Sequence, residues 1–291
     1  MTPPPESHRY HSAGLSLHYC RWPNPGKPPL LLVHGGEDHN RNWDRVVDRL
    51  HSHFDIAAPD LRGHGESDWV AGCAYTISGL VLDLANLFDH LEWQAASLIG
   101  HSLGGALVLK FTATYPEAVK RVVAIEGLGP APDVLAGMVA KSGTERLREW
   151  IEGAQKSARR EPTRYASLKD ATARMMAKNA HLSAEWAAHL AKYASQRQEN
   201  GQYRWKHDPR IRNMPLFDIT PEQTREMWRA ITCPVMLVRG EDSWASNPAR
   251  DGRADFFQDA QVVNIAGAGH WVHHDQLDDF LAAVTPFLLV D

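Results

Sequence analysis

Cysteine is scarce in this 291-residue sequence: Cys20, Cys73 and Cys233 lie far apart, with no CxxC pair. An odd, scattered set excludes a disulfide framework and predicts reduced thiols in a reducing compartment, the cytoplasm. Excess charge is missing too, since 31 Lys+Arg face 35 Asp+Glu for a net −4. A nucleic-acid or membrane-surface partner calls for a stronger field, so neither is expected. Apolar runs stop at strand length, and the opening MTPPPESHRYHSAG has no apolar stretch of the kind that exports a chain. A membrane span and a standard secretion signal are therefore not expected. Repeats are absent, and low complexity is confined to Pro3–Pro5. What is present, 43% hydrophobic and 23% charged residues, is ordinary globular composition. At about 150 residues per domain, the length fits two domains or one large domain with an insertion.

Short apolar runs alternate with helical stretches. Leu30–Val33, Phe54–Pro59, Ala96–Gly100 and Val119–Ile125 come first, then, after a long interval, Pro234–Val238 and Gln261–Ile265. Continuous apolar runs bounded by glycine and spaced by helix-length segments predict buried parallel strands with crossover helices, a doubly wound α/β fold. Leu80, Leu84, Leu87 and Leu91 form a helical stripe, with Ser78 as its expected start. Between 130 and 230 strand-like runs vanish. Thr144, Ser167 and Ser183 each stand where a helix would begin, ahead of Leu147/Trp150/Ile151, Leu168/Ala171/Met175 and Trp186/Leu190/Tyr193. Lys141–Lys178 carries ten Lys/Arg against five Asp/Glu, read as a solvated helix face. The expected organisation is a core of residues 1–129 and 231–291 with a helical lid of 130–230 inserted between two strands.

The strongest chemical signal is Gly100-His101-Ser102-Leu103-Gly104-Gly105, after a buried strand and before the helical run Ala106–Tyr115. This is G-x-S-x-G in the context it requires. The serine must stand on a tight, strained turn with Oγ exposed. Glycines at −2 and +2 are needed because a Cβ there would meet the neighbouring strand and helix. The helix start beneath supplies free N–H groups and the positive end of a dipole. Three further motifs follow the same order along the chain. His34-Gly35-Gly36 ends the first apolar strand, Asp60-Leu61-Arg62-Gly63-His64-Gly65-Glu66-Ser67 ends the second, and Gly267-Ala268-Gly269-His270-Trp271 follows the last.

With these four motifs the chain resembles the α/β-hydrolases over nearly all of its length, in particular a serine-nucleophile, serine-hydrolase-like subgroup. The resemblance implies Ser102 as nucleophile, His270 as base, and the Gly36 and Leu103 amides as an oxyanion hole. It assigns Arg62 and the glycines of its loop to structure. The acid is open. In most of the family it lies three residues beyond a glycine after the penultimate strand, where Arg239-Gly240-Glu241-Asp242-Ser243 places Ser243. Asp242 stands one residue early, and Glu241 is a third choice. Another subgroup, with R-G-x-x-S at the later strand as here, takes its acid from the end of the strand before the lid, which is Glu126. Glu126 is preferred and Asp242 is the alternative. Gly201–Arg210 also resembles a segment of serine-hydrolase-like members.

The sixteen histidines make any one of them weak evidence. His51/His53 and His273/His274 lack a third ligand at zinc-like spacing, no H-E-x-x-H occurs, and no metal or other cofactor is expected. His273 and His274 are expected to be ordinary helix residues. The implied reaction is hydrolysis of a carboxylic ester through an acyl-enzyme, on a small-molecule acyl substrate with an apolar acyl group. A serine at the elbow excludes haloalkane and epoxide chemistry, which needs a carboxylate there. Lactone, thioester or cofactor-free C–C hydrolysis, and a non-catalytic ligand-binding relative, are the alternatives. Trp150, Met175, Met176, Trp186, Tyr193, Tyr203 and Trp205 are the lid residues from which a pocket lining would be drawn.

Overall fold

A computed structural model describes residues 2–71, 75–161, 163–215 and 218–290. The chain opens with strands β1 (Glu6–Ser12) and β2 (Leu15–Trp22), then β3 (Pro29–Val33), helix α1 (Asp44–Leu50) and β4 (Asp55–Pro59). Helix α2 (Ile77–Leu91), β5 (Ala96–His101), α3 (Leu103–Thr114) and β6 (Val119–Ile125) follow. Next come α4 (Pro132–Ala140), α5 (Gly143–Ala158), β7 (Arg164–Tyr165), α6 (Leu168–Lys178), α7 (Ala184–Ala194), β8 (Ser195–Arg197), β9 (Tyr203–Trp205) and α8 (Pro221–Ala230). The last elements are β10 (Val235–Gly240), β11 (Ala260–Ile265), the short α9 (Val272–Asp275) and α10 (Leu277–Leu289).

Eight of the described strands form one sheet in the order β1-β2-β4-β3-β5-β6-β10-β11, parallel from β4 to β11. The six runs read from the sequence are its parallel strands. The β1–β2 hairpin was not legible as strand, because Glu6–Ser12 is polar and carries no apolar run. It turns tightly at Ala13-Gly14, both at positive φ, and packs antiparallel on β4 at the sheet edge.

Both faces of the sheet are covered, which is why its strands read as continuous apolar runs. Along β3, Leu31 and Val33 join Leu80, Leu84 and Leu87 of α2 and Phe111 of α3 in one buried layer. Leu30 and Leu32 join Val46 and Val47 of α1 and Phe280 and Val284 of α10 in the other. α2 begins earlier than expected. The Thr76 hydroxyl, not Ser78, accepts from the Gly79 amide, because Thr76 has the extended backbone a cap requires and Ser78 lies inside the first turn.

Between β6 and β10 the described chain is mainly helical. Ser167 and Ser183 cap α6 and α7 as expected. α5 is capped two residues earlier, by Ser142 in a reciprocal pair with Glu145, in place of Thr144. A three-stranded antiparallel sheet, β7-β9-β8, also crosses this segment, with strands too short to leave a periodic signature. Cys20 and Cys233 are free thiols, pushed up by burial to about 12 and about 11; Cys73 lies outside the described residues. Among the described residues no helix is long and apolar enough to cross a membrane.

Candidate active site

The ends of β3, β5, β6 and β10 converge at the carboxyl edge of the sheet, where open α/β sheets bind ligands. β5 ends at His101, and Ser102 turns the chain into α3 with φ 51° and ψ −114°, a strained conformation for a residue with a side chain. Its amide is tied down by the Ile125 carbonyl at 2.8 Å. The strain persists because the flanking glycines are packed without room. A Cβ on Gly100 would lie 2.4 Å from the Gly104 carbonyl oxygen, and one on Gly104 would lie 2.2 Å from that of Val33.

At the end of β6, Glu126 also adopts positive φ, 50°. Its side chain is wholly buried, and three donors converge on the carboxylate. The Gly240 amide donates to Oε1 at 3.0 Å, while the Ser243 hydroxyl and the His270 ring reach Oε2 at 2.5 and 2.8 Å. Since a carboxylate accepts, His270 donates through Nδ1, and in the neutral ring this is the tautomer with its lone pair on Nε2. Asp242 and Glu241 do not take this place. Both side chains are exposed, and the tight turn held by Ser243 N on the Gly240 carbonyl sends them outward. Ser243, at the position where most of the family carries its acid, serves Glu126 as a hydrogen-bond donor.

The Ser102 hydroxyl has no hydrogen-bond partner among the described residues. The neighbouring His101 donates its Nε2–H to the His270 carbonyl at 3.0 Å, with the two rings 4.8 Å apart. Burial and the adjacent His273 and His270 hold the His101 ring well below the usual histidine range, so it is neutral. Nucleophile–base hydrogen bonds are commonly long or misaligned before substrate binds.

Gly35 packs directly on the elbow: a Cβ there would stand 3.3 Å from Ser102 Cβ. The amides of Gly36 and Leu103 have no acceptor among the described residues. Two neutral histidines hold this turn. His34 Nδ1–H donates to the Gly35 carbonyl at 2.7 Å and its Nε2 accepts from Leu61 N at 3.0 Å. His64 Nε2 accepts from Glu37 N at 3.0 Å. Burial and the neighbouring His64 lower His34 to about 3, and burial likewise lowers His64. Beneath them Asp60 accepts from Asn40 N, Glu66 N and His18 Nδ1. Burial alone would raise it, but the His18 hydrogen bond and charge prevail and hold it at about 2. Arg62 is taken by Asp83 in a two-pronged ion pair at 2.6 Å.

A cavity of about 320 Å³ opens beside His270 and Gly36. Met175, Leu182, Leu190, Trp205, Trp244 and Trp271 supply its apolar wall. Of the seven lid residues expected to include pocket lining, Met175 and Trp205 are in the wall. Trp186 is instead buried against His274, Tyr193 lies under the Arg41 guanidinium, and the Trp150 indole donates to the Asn213 carbonyl. Sequence reasoning missed Asp38, Asn179, Trp244 and His274, which also face the cavity. Asp38 shows part of its surface there, yet protein surrounds it, and that burial raises its carboxyl to about 7. His273 and His274, expected as ordinary helix residues, are both buried next to His270, with His273 stacked on Trp43. Among the described residues no three His, Cys, Asp or Glu side chains are grouped to hold a metal.

Residues 28–277 match the family model described as alpha/beta hydrolase fold, and the chain belongs to that family. It is a member of a family of hydrolases. A serine hydrolase-like protein of Danio rerio is 28% identical over 274 residues, 91% of this chain and 82% of that protein. Epoxide hydrolase 4 of Mus musculus is 30% identical over 141 residues, which span 48% of this chain and 39% of the mouse protein. The solved thioesterase domain from the curacin biosynthetic pathway superposes with a TM-score of 0.86 at 24% identity, covering 99% of this chain and all of that one, a likeness of fold.

Proposed function

We propose that this protein is a serine hydrolase that cleaves a carboxylic ester of a small-molecule acyl substrate. The observation that carries the reading is the His270 Nδ1 to Glu126 Oε2 hydrogen bond of 2.8 Å, beside an elbow that presents Ser102 at φ 51°. Glu126 fixes the tautomer that leaves His270 Nε2 free to act as base. In the first step Ser102 Oγ bonds to the ester carbonyl carbon and its proton passes to His270. The oxygen of the tetrahedral intermediate takes hydrogen bonds from the Gly36 and Leu103 amides, each such donor worth roughly 10²–10³ in rate. The carbon–oxygen bond to the leaving alcohol breaks, and His270 returns the proton to it. Water, losing a proton to the same ring, then splits the acyl-enzyme to acid and free Ser102.

The mouse relative bears the name of an epoxide hydrolase, but a hydroxyl nucleophile suits acyl transfer, whereas an alkyl-enzyme needs a carboxylate at the elbow. Residues 130–230 act as the lid, a role supported by Met175, Leu182 and Leu190 in the cavity wall. Lactones and thioesters present the same carbonyl to the same groups. The test pairs p-nitrophenyl butyrate hydrolysis with labelling by a fluorophosphonate probe. Both should vanish to background in Ser102→Ala while the circular dichroism spectrum is unchanged. Undiminished hydrolysis by that variant would remove Ser102 from the reaction.

A further inference from the structure

Arg174 and Lys178 belong to the basic stretch read from the sequence as a solvated helix face, yet both line the cavity that His270 and Gly36 border. They stand at i and i+4 on α6, so their side chains are neighbours on one face of the helix and can meet on a single small group. Met175, from the same face, packs on the buried cluster of Leu182, Trp186, Ala187 and Leu190, which seats α6 against α7. Lys178 Nζ lies 3.8 Å from Glu37 Oε2, and Glu37 is the residue after Gly36. The ammonium is thus separated from the turn that offers the Gly36 amide by little more than the length of the Glu37 side chain.

The acids of the cavity leave these cations largely uncompensated. Glu37 gives its two oxygens to Arg212, which donates both Nε–H and Nη2–H. Asp38 accepts from Asn42 Nδ2 and the His39 amide, and burial raises it to about 7, so it bears only part of its charge at neutral pH. Asp170, one turn before Arg174, accepts from the Ser167 hydroxyl. Arg174 has no hydrogen bond or ion pair among the described residues, and the distant Glu37 contact is the only ion pair of Lys178 there. Burial keeps His207 and His274 neutral. An apolar wall therefore adjoins a patch of unmatched positive charge in one cavity.

We propose that Arg174 and Lys178 form a carboxylate-binding subsite, so that the favoured substrates are esters carrying a carboxylate remote from the scissile bond. The carboxylate accepts from the forked Arg174 guanidinium and from the Lys178 ammonium, while the chain that joins it to the ester lies along Met175, Leu182 and Leu190. A singly charged, planar carboxylate suits the site better than a phosphate dianion, whose second charge would press against Glu37. This rests on the hydrolase reading above and narrows its substrate class, adding a charged end to the apolar acyl group expected from the sequence.

The experiment measures kcat/KM for two acids, each against its own methyl ester. Mono-4-nitrophenyl adipate places the carboxylate on the acyl side, and 4-carboxyphenyl hexanoate places it on the alcohol side. In one arm the acid-to-methyl-ester ratio should fall by about threefold or more in Arg174→Gln/Lys178→Gln, and that arm names the side that carries the charge. Both side chains are exposed, so the circular dichroism spectrum should not change. The ratio of the native enzyme should also shrink between about 0.02 and about 0.5 M NaCl, since exposed charges are screened. A ratio that the double substitution leaves unchanged in both arms overturns the proposal. Binding gives a readout independent of turnover. In Ser102→Ala, calorimetry should show the mono-anilide of adipic acid, or the 4-carboxyanilide of hexanoic acid, binding about threefold or more tightly than its methyl ester, and the double substitution should abolish the difference. Failure to cleave any ester would sink the hydrolase reading, while the anilides would still decide the subsite.

Discussion

His270 Nδ1 lies 2.8 Å from Glu126 Oε2, a contact between residues 144 positions apart in the chain. It forms because Glu126 ends β6 at positive φ, which swings its carboxylate under the loop after β11. Ser243 and Gly240 then hold that carboxylate from the far side.

Exchanging the two candidate acids should separate them by orders of magnitude. Glu126→Gln substitutes an amide for the carboxylate that receives His270 Nδ1–H, and kcat should fall by about 10³–10⁴. Asp242→Asn, at an exposed side chain without a partner among the described residues, should change kcat by less than about threefold. Steady-state kinetics on one ester checks both, and equal losses would remove Glu126 from its place beside the base.

Glycines of the elbow should differ in what they tolerate. Gly104→Ala drives a Cβ to 2.2 Å from the Val33 carbonyl oxygen, a backbone atom that cannot swing away. The cost should be about 3 kcal/mol, seen as a melting temperature lower by roughly 5 °C. Gly36→Ala meets nothing within 4 Å and should leave the melting temperature within about 1 °C. A thermally neutral Gly104→Ala would mean the elbow is not packed as described.

Asp60 predicts acid sensitivity. Its carboxyl is held at about 2 in the fold against 3.8 unfolded, so its contribution is present above pH 4 and is lost as pH falls through 2. The contribution is about 2 kcal/mol at neutral pH. Denaturant titrations at pH 7, 4, 3 and 2 should show native stability falling more steeply below pH 4 than that of Asp60→Asn. Parallel curves would show that Asp60 is not linked to acid unfolding.

Asp38 acts with the opposite sign. Burial lifts it from 3.8 to about 7, so its charge costs the folded state increasingly as pH rises from about 4 to 7. Asp38→Asn removes the charge and can still receive the His39 amide, which donates to Oδ1 at 2.9 Å. The variant should be more stable than the native chain at pH 8 by about 1–2 kcal/mol, a figure kept small because the carboxyl borders a cavity. The gain should vanish near pH 4; a constant difference across that range would mean the carboxyl does not titrate differently on folding.

The parallel strands were legible because a sheet covered on both faces demands unbroken apolar runs, as in Leu30–Val33 and the Val122–Ile125 part of β6. The elbow was legible for a related reason: Gly100 and Gly104 are dictated by atoms within 2.4 Å, so spacing alone reveals the turn. The β1–β2 hairpin was not, since one edge pairing needs no apolar run, and Thr76 displaced Ser78 as a cap because backbone geometry, not residue type, decides which hydroxyl meets an amide.

By itself the amino-acid order determined the layered α/β scaffold, the position of Ser102 and the glycine-bounded turns of Gly36 and His270, because each depends on neighbours a few residues away. Only the folded chain decided that Glu126 rather than Asp242 meets His270, and that His273 and His274 are buried beside it. Those contacts join residues from distant strands and helices, and which side chains meet there depends on backbone direction and packing that no local pattern encodes.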